Sequence, residues 1–159
     1  TMRRCSSSFW KLIVTGFGLG FIPFAPGTMG AAGALVPAIL ILRYALFPYI
    51  ILGSLALAFT FVGVIGSNKL RDQWGKDPSR IVVDEMVGMW IGLLWVGSGW
   101  IPMLSAFILF RFFDIVKPLG IRKTEQLPGG LGVMTDDILA GIYTNVILQV
   151  AFRIIPGLI

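Results

Sequence analysis

The chain of 159 residues has no histidine and a single cysteine. Without histidine there is no Ser-His-Asp triad, no phosphohistidine route and no zinc site built on imidazole. Cys5 has no partner for an internal disulfide. It also lacks the arginine that a cysteine phosphatase carries in its phosphate loop, being followed by Ser6, Ser7, Ser8, Phe9, Trp10 and Lys11. Charge is scarce too: 13% of residues are charged, against roughly 25% in ordinary soluble domains. Any chemistry must therefore come from carboxylates, hydroxyls, Lys or Arg, and metal.

What is abundant is apolar side chain, at 56% of residues and a mean hydropathy of +0.86. These values predict an all-α integral membrane protein. The net charge of +5 would suggest nucleic acid in a soluble protein. Here the cations fall between apolar runs, where they orient the chain and meet anionic lipid head groups, so no nucleic-acid partner is expected. No repeat or linker divides the sequence, and residues 1–159 read as one membrane-embedded domain, with a homo-oligomer left open.

The apolar runs predict a compact bundle of about four to five helices. Phe9–Phe24, interrupted by Gly16, Gly18, Gly20 and Pro23, reads as an N-terminal interfacial or re-entrant segment. After the turn Ala25-Pro26-Gly27, Thr28 is placed to cap a helix running to about Leu46. A second helix covers Tyr49 to about Gly66, and Ser67–Ser79 reads as a polar, basic loop. Val82–Val96 would be only ~22 Å long, short of the ~30 Å hydrocarbon core. With the returning Ile101–Val116 it forms either a shallow hairpin or a pair shielded by other helices. Leu119–Thr135 reads as a loop, flexible at Pro128-Gly129-Gly130, and Asp136-Asp137 open a last helix to about Ile155.

Counting crossings puts Thr28, Asp84, Glu85, Asp114, Asp136 and Asp137 at one face. Lys69, Arg71, Lys76, Arg80, Lys117, Arg122 and Lys123 share that face, whereas Arg43 and Arg153 lie on the other. The positive-inside rule makes the carboxylate face cytoplasmic. Carboxylates gathered without histidine suit a hard cation with oxygen ligands, Mg2+ foremost. A plainer account exists for each piece. Acidic residues in a first helical turn are favoured by the helix dipole, and Arg111 with Asp114 is an ordinary i, i+3 pair beside a snorkelling Lys117. Gly88 and Gly92 form a small-xxx-small pattern that permits close helix packing.

Three stretches taken together resemble the phosphatidylglycerophosphatase A family of bacterial membrane lipid phosphatases. They are Gly16-Phe17-Gly18-Leu19-Gly20 through Pro26-Gly27-Thr28-Met29-Gly30; Val83-Asp84-Glu85-Met86-Val87-Gly88-Met89-Trp90; and Phe110–Pro118 continuing to Gly129–Gly141. The resemblance implies Mg2+-dependent hydrolysis of the terminal phosphate of phosphatidylglycerophosphate in the bacterial inner membrane. Joined to the residue reading, it gives Asp84, Asp114, Asp136 and Asp137 as metal ligands and Asp84, Glu85 and Asp137 as catalytic carboxylates. Thr28, Arg111 and Lys117 would hold phosphate. Water attack is expected rather than an aspartyl-phosphate route, because the Asp-x-Asp pattern of haloacid-dehalogenase phosphatases is absent. A carboxylate-lined divalent cation transporter and a CDP-alcohol phosphotransferase-like enzyme are the alternatives; the latter's Asp-Gly-x-x-Ala-Arg stretch is not found.

Overall fold

The computed structural model describes residues 2–74 and 79–154, with side chains from residue 8 onward. Lys76, Asp77 and Ile155 lie outside the described residues. The chain is all-helical: α1 (Met2–Val14), a 3-10 turn (Leu19–Phe21), α2 (Pro26–Tyr44), α3 (Pro48–Trp74), α4 (Val83–Gly92), α5 (Trp100–Val116), the single turn α6 (Ile121–Thr124) and α7 (Gly130–Ile154). Helices α2, α3 and α7 are long and apolar enough to cross a membrane. They expose Val36, Leu40, Leu57, Phe61, Val146 and Val150 outward, as lipid-facing surfaces do.

Helix α4 is the centre. It is ten residues long, about 15 Å at ~1.5 Å per residue, so it spans nothing. It is apolar all round because it is surrounded: α7 packs on it most closely, with α2, α3 and α5 completing the shell. Of the Val82–Val116 pair, the α4 half is shielded by other helices, whereas α5 leaves Leu104, Ile108, Phe112 and Ile115 exposed. Trp90 is fully buried and donates Nε1–H to the Ala34 carbonyl at 2.9 Å. At the far end of α4, Asn145 of α7 donates to the carbonyls of Leu94 (2.6 Å) and Gly92 (3.3 Å). Those are the acceptors a helix leaves unpaired at its C-terminus.

Glycine sets the distance between α4 and α7. A Cβ on Gly141 would run into the Gly88 backbone, and one on Gly88 would strike the Asp137 carbonyl and the Phe110 ring. Gly92 rests on Thr144. The small-residue pattern at Gly88 and Gly92 thus faces α7. The glycines of the N-terminal segment do similar work at the other end of α4. Gly20 abuts the Arg80 carbonyl, Gly30 abuts Val82, and the Val82 amide donates to the Val14 carbonyl at 2.9 Å.

Several boundaries differ from the sequence expectation. Pro26, not Thr28, opens α2: proline's fixed φ suits the first helical position, and Ala25 (φ 46°) is the cap. Helix α3 runs on to Trp74, carrying Lys69, Arg71 and Asp72 on helix rather than loop. Lys69 and Arg71 are good helix formers, and the segment is backed by α1, with the Lys69 ammonium 4.6 Å from the centroid of the Trp10 ring. The α4 helix stops at Gly92 instead of reaching Val96, and Trp95 (φ 55°) turns the chain. The largest difference is α7, which begins at Gly130, not at Asp136. Gly129 (φ 64°) breaks the chain, and Asn68 of α3 accepts the Gly130 amide at 2.7 Å. The glycines read as flexible are places of close approach: Gly130 to the Val64 backbone and Gly132 to the Leu127 carbonyl.

The crossing gives a direct comparison. Gly141→Ala should lower the thermal unfolding midpoint in detergent, at a cost of about 1–3 kcal/mol for overpacking. Gly53→Ala, whose Cβ would meet only Leu94 at 3.9 Å, should leave the midpoint unchanged or raise it. Equal midpoints for the two variants would show that the helices part freely at Gly88.

Candidate active site

At one end of the bundle the starts of α2, α4 and α7 meet the ends of α3 and α5. There the starts of α4 and α7, the end of α5 and the connection through Glu125 and Leu127 line a cavity of about 340 Å³. Six of the chain's eight acidic residues line it: Asp84, Glu85, Asp114, Glu125, Asp136 and Asp137. In a chain so short of charge, that share is not incidental to solubility. Asp84 and Asp137 sit one helical turn before Gly88 and Gly141, so the crossing that joins the glycines also joins the acids.

Asp84, Glu85 and Asp137 offer ligand oxygens that all lie within 4.8 Å of one another. Asp84 and Asp137 are buried, and Glu85 is partly so. Asp84 Oδ1 accepts the Glu85 amide at 3.1 Å. Glu85 Oε2 and Asp137 Oδ1 are buried with no hydrogen-bond partner among the described residues, and Asp136 Oδ1 is a third such atom. Burial pushes the Asp84 carboxyl well above the usual range, and the Glu85, Asp137 and Asp136 charges add to the shift. Burial also raises Glu85, against help from Asp84's hydrogen bond and from Arg111, with Asp114 raising it further. The protein alone therefore opposes ionisation here. A divalent cation reverses that, and an all-oxygen donor set with free buried lone pairs fits a hard ion.

The two cations of the site are each tied to a carboxylate. Arg111 on α5 pairs through Nη1 with Asp114 three residues on, and its Nε is buried with no hydrogen-bond partner among the described residues. Lys117 terminates α5 in the left-handed region (φ 50°). Its ammonium bonds Asp136 at 2.5 Å and Glu125 at 2.6 Å. Burial lowers the Lys117 proton affinity, but the two carboxylates outweigh it and hold the group above the ordinary lysine range. Asp114 and Asp136 are thus turned toward cations, while Asp84, Glu85 and Asp137 form the set that one ion can reach.

The α2 turn comes in through Gly27. A Cβ there would collide with Glu85 Oε1 and come 3.2 Å from Arg111 Nη1. Thr28 follows in the first turn of α2, half-buried, and is not among the residues lining the cavity. Gly27 and Glu125 are the site residues the sequence reading did not single out. Gly27 lay inside a quoted stretch, and its signal was a glycine directly after the helix-opening proline. Glu125 carried no signal beyond its charge. The helix-dipole account of the acids covers Asp84 and Glu85 only, because Asp136 and Asp137 lie in the second turn of α7.

Residues 12–152 match the family model for phosphatidylglycerophosphatase A. Among curated proteins, the chain is 54% identical over 149 residues to a Bacteroides thetaiotaomicron protein that carries a provisional phosphatidylinositol-3-phosphatase name. That match covers 88% of this chain and 91% of the relative. It is 40% identical over 139 residues to phosphatidylglycerophosphatase A of Haemophilus influenzae, covering 86% of this chain and 85% of the relative. It is 34% identical over 149 residues to phosphatidylglycerophosphatase A of Escherichia coli, covering 92% and 85%. No solved structure gives a significant match.

Ion binding to the folded site stabilises the fold by mass action, by about 2.7 kcal/mol at a hundred times Kd. Saturating Mg2+ should therefore raise the unfolding midpoint of the wild type by a few degrees, and EDTA should reverse the rise. The Asp84→Asn, Asp137→Asn double variant should show no response to Mg2+. A rise of equal size in that variant would place the ion elsewhere.

Proposed function

The chain belongs to the phosphatidylglycerophosphatase A family, and on that premise we propose that it hydrolyses the terminal phosphate monoester of phosphatidylglycerophosphate, releasing phosphatidylglycerol and inorganic phosphate. The observation that carries this reading is the pairing of a buried carboxylate triad (Asp84, Glu85, Asp137) with two anchored cations (Arg111, Lys117) in and beside one cavity. That pairing is what a phosphate dianion and an activated water require. The triad alone would suit any cation site, and the two cations alone would suit any anion.

Asp84 and Asp137 are assigned to hold Mg2+, with Asp136 Oδ1 the next free oxygen. When bound, the ion supplies positive charge to the phosphate oxygens. Glu85, whose Oε2 is buried with no hydrogen-bond partner among the described residues, takes the proton of the attacking water. Arg111 and Lys117 bear the charge that spreads over the phosphoryl oxygens. Asp114 and Asp136 keep those two cations aimed. The Gly27-Thr28 turn brings backbone close beside Glu85 and Arg111. Water adds to phosphorus, the bond from phosphorus to the glycerol oxygen breaks, and that oxygen takes a proton from solvent water. The acyl chains stay in the bilayer while the head group enters at the bundle end.

The excess of basic residues at the site end, including Lys69, Arg71, Arg80, Arg122 and Lys123 against Arg43 and Arg153 opposite, favours a cytoplasmic site in the bacterial inner membrane. The name of the 54% identical relative favours a second reading, a 3-phosphoinositide as substrate. Both are monoesters on a polyol lipid head group.

Purified protein should release phosphate from phosphatidylglycerophosphate in a Mg2+-dependent way. Asp84→Asn and Asp137→Asn should each lower kcat at least about a hundredfold, the scale for losing a catalytic charge. Full turnover in either variant would remove that residue, and turnover in EDTA would remove the metal. Faster release from phosphatidylinositol-3-phosphate would exchange the substrate and keep the reaction class.

A further inference from the structure

Among the described residues, Lys117 is the one cation paired with carboxylates from two separate elements. Asp136 belongs to α7, whereas Glu125 follows α6 on the connection from α5 to α7. The return of that connection is built into its backbone. Lys117 (φ 50°), Leu119 (φ 54°) and Gly120 (φ 89°) all adopt left-handed conformations, which reverses the chain beyond the end of α5. The Tyr143 hydroxyl then donates to the Leu119 carbonyl at 3.2 Å, fixing the reversal to α7. As a result Glu125, eight residues on, comes back over the ammonium.

An ammonium has three donors on a flexible four-carbon stem. One carboxylate would leave Nζ free to swing around it. Two carboxylates from different elements define its position and leave one N–H for another acceptor. Glu125 is 43% exposed at the side chain and contributes little to the core. Its charge beside a phosphate site would repel an anionic substrate unless it served the lysine.

Resting on the phosphatase reading above, we propose that Glu125 is a positioning residue: it holds the Lys117 ammonium so that its third donor meets an oxygen of the substrate phosphate. Glu125 itself touches no reacting atom. Its effect passes wholly through Lys117, so the two side chains should not act additively. The pairing also explains why a carboxylate is tolerated at the rim of a site that binds an anion.

The test measures inorganic phosphate binding by calorimetry in saturating Mg2+ on the full-length protein, together with KM and kcat for phosphatidylglycerophosphate. Glu125→Ala should weaken phosphate binding and raise KM about tenfold, the scale of one partly exposed charge-assisted hydrogen bond, with the unfolding midpoint unchanged. Glu125→Gln, which keeps an acceptor oxygen, should recover part of the loss. In a Lys117→Ala background, Glu125→Ala should change phosphate binding no further. The proposal is overturned if Glu125→Ala leaves phosphate binding unchanged, or if its effect is the same size with and without Lys117. A wild type that neither binds phosphate nor releases it would sink the phosphatase reading itself, a result distinct from either of these.

Discussion

Two helix backbones touch where Gly88 meets Gly141, and the architecture of the site follows from that contact. Side chains keep most packed helices about 8–10 Å apart. Here neither helix has one at the crossing, so α4 and α7 approach until a Cβ would have no room. One turn back along each helix stand Asp84 and Asp137. Their proximity is a consequence of the crossing, not of attraction between them, since like charges repel. The bundle forces together what electrostatics would separate, and α2, α3 and α5 hold the arrangement by burying α4 on its remaining sides.

Such an arrangement is costly without a counter-ion. Six carboxylates line the cavity, while Arg111 and Lys117 provide two positive charges. Each of these cations is already committed to an acid, and Arg111 eases the charge on Glu85 without cancelling the effect of burial. Among the described residues, Glu85 Oε2 and Asp137 Oδ1 are buried without a hydrogen-bond partner. A protein selected only for stability would replace them with apolar side chains of similar volume. Such a cluster could hold a metal ion. The division is spatial: Asp114 and Asp136 pair with the cations, and Asp84, Glu85 and Asp137 stand together apart from them.

Much of this was legible in sequence because membrane helices announce themselves by long apolar runs, and because parity assigns their ends to sides. That reasoning brought Asp84, Asp114 and Asp137 to one end without any contact information. It failed where local composition and tertiary packing disagree. Gly129-Gly130-Leu131-Gly132 has the composition of a flexible loop, yet only glycines fit where α7 passes the Val64 backbone and the Leu127 carbonyl. Residues 67–74 are polar, so they read as loop; they are helical because α1 lies beside them, with Lys69 stacked on Trp10. Glu125 had no periodicity or motif to mark it. Its place depends on three consecutive-range left-handed residues, two of them not glycine, which no propensity would indicate.

The position of the carboxylates also bears on the transporter alternative. A cation path needs polar groups through the depth of the bundle. Below the site the core is made of Val87, Met89, Trp90, Leu93, Ala106 and Phe110, all buried. Phe110 lies directly against Gly88, the residue that follows the triad by one turn. At the opposite end, Asn145 and Gln149 turn their amides to the carbonyls of Gly92 and Leu94 rather than to an open channel. Beneath Asp84 and Asp137 the buried side chains are thus mainly apolar, Thr144 being the polar exception, which argues against an ion path through the bundle. A site at one end of the bundle, above that core, suits a substrate whose head group is presented at the interface while its tails remain in lipid.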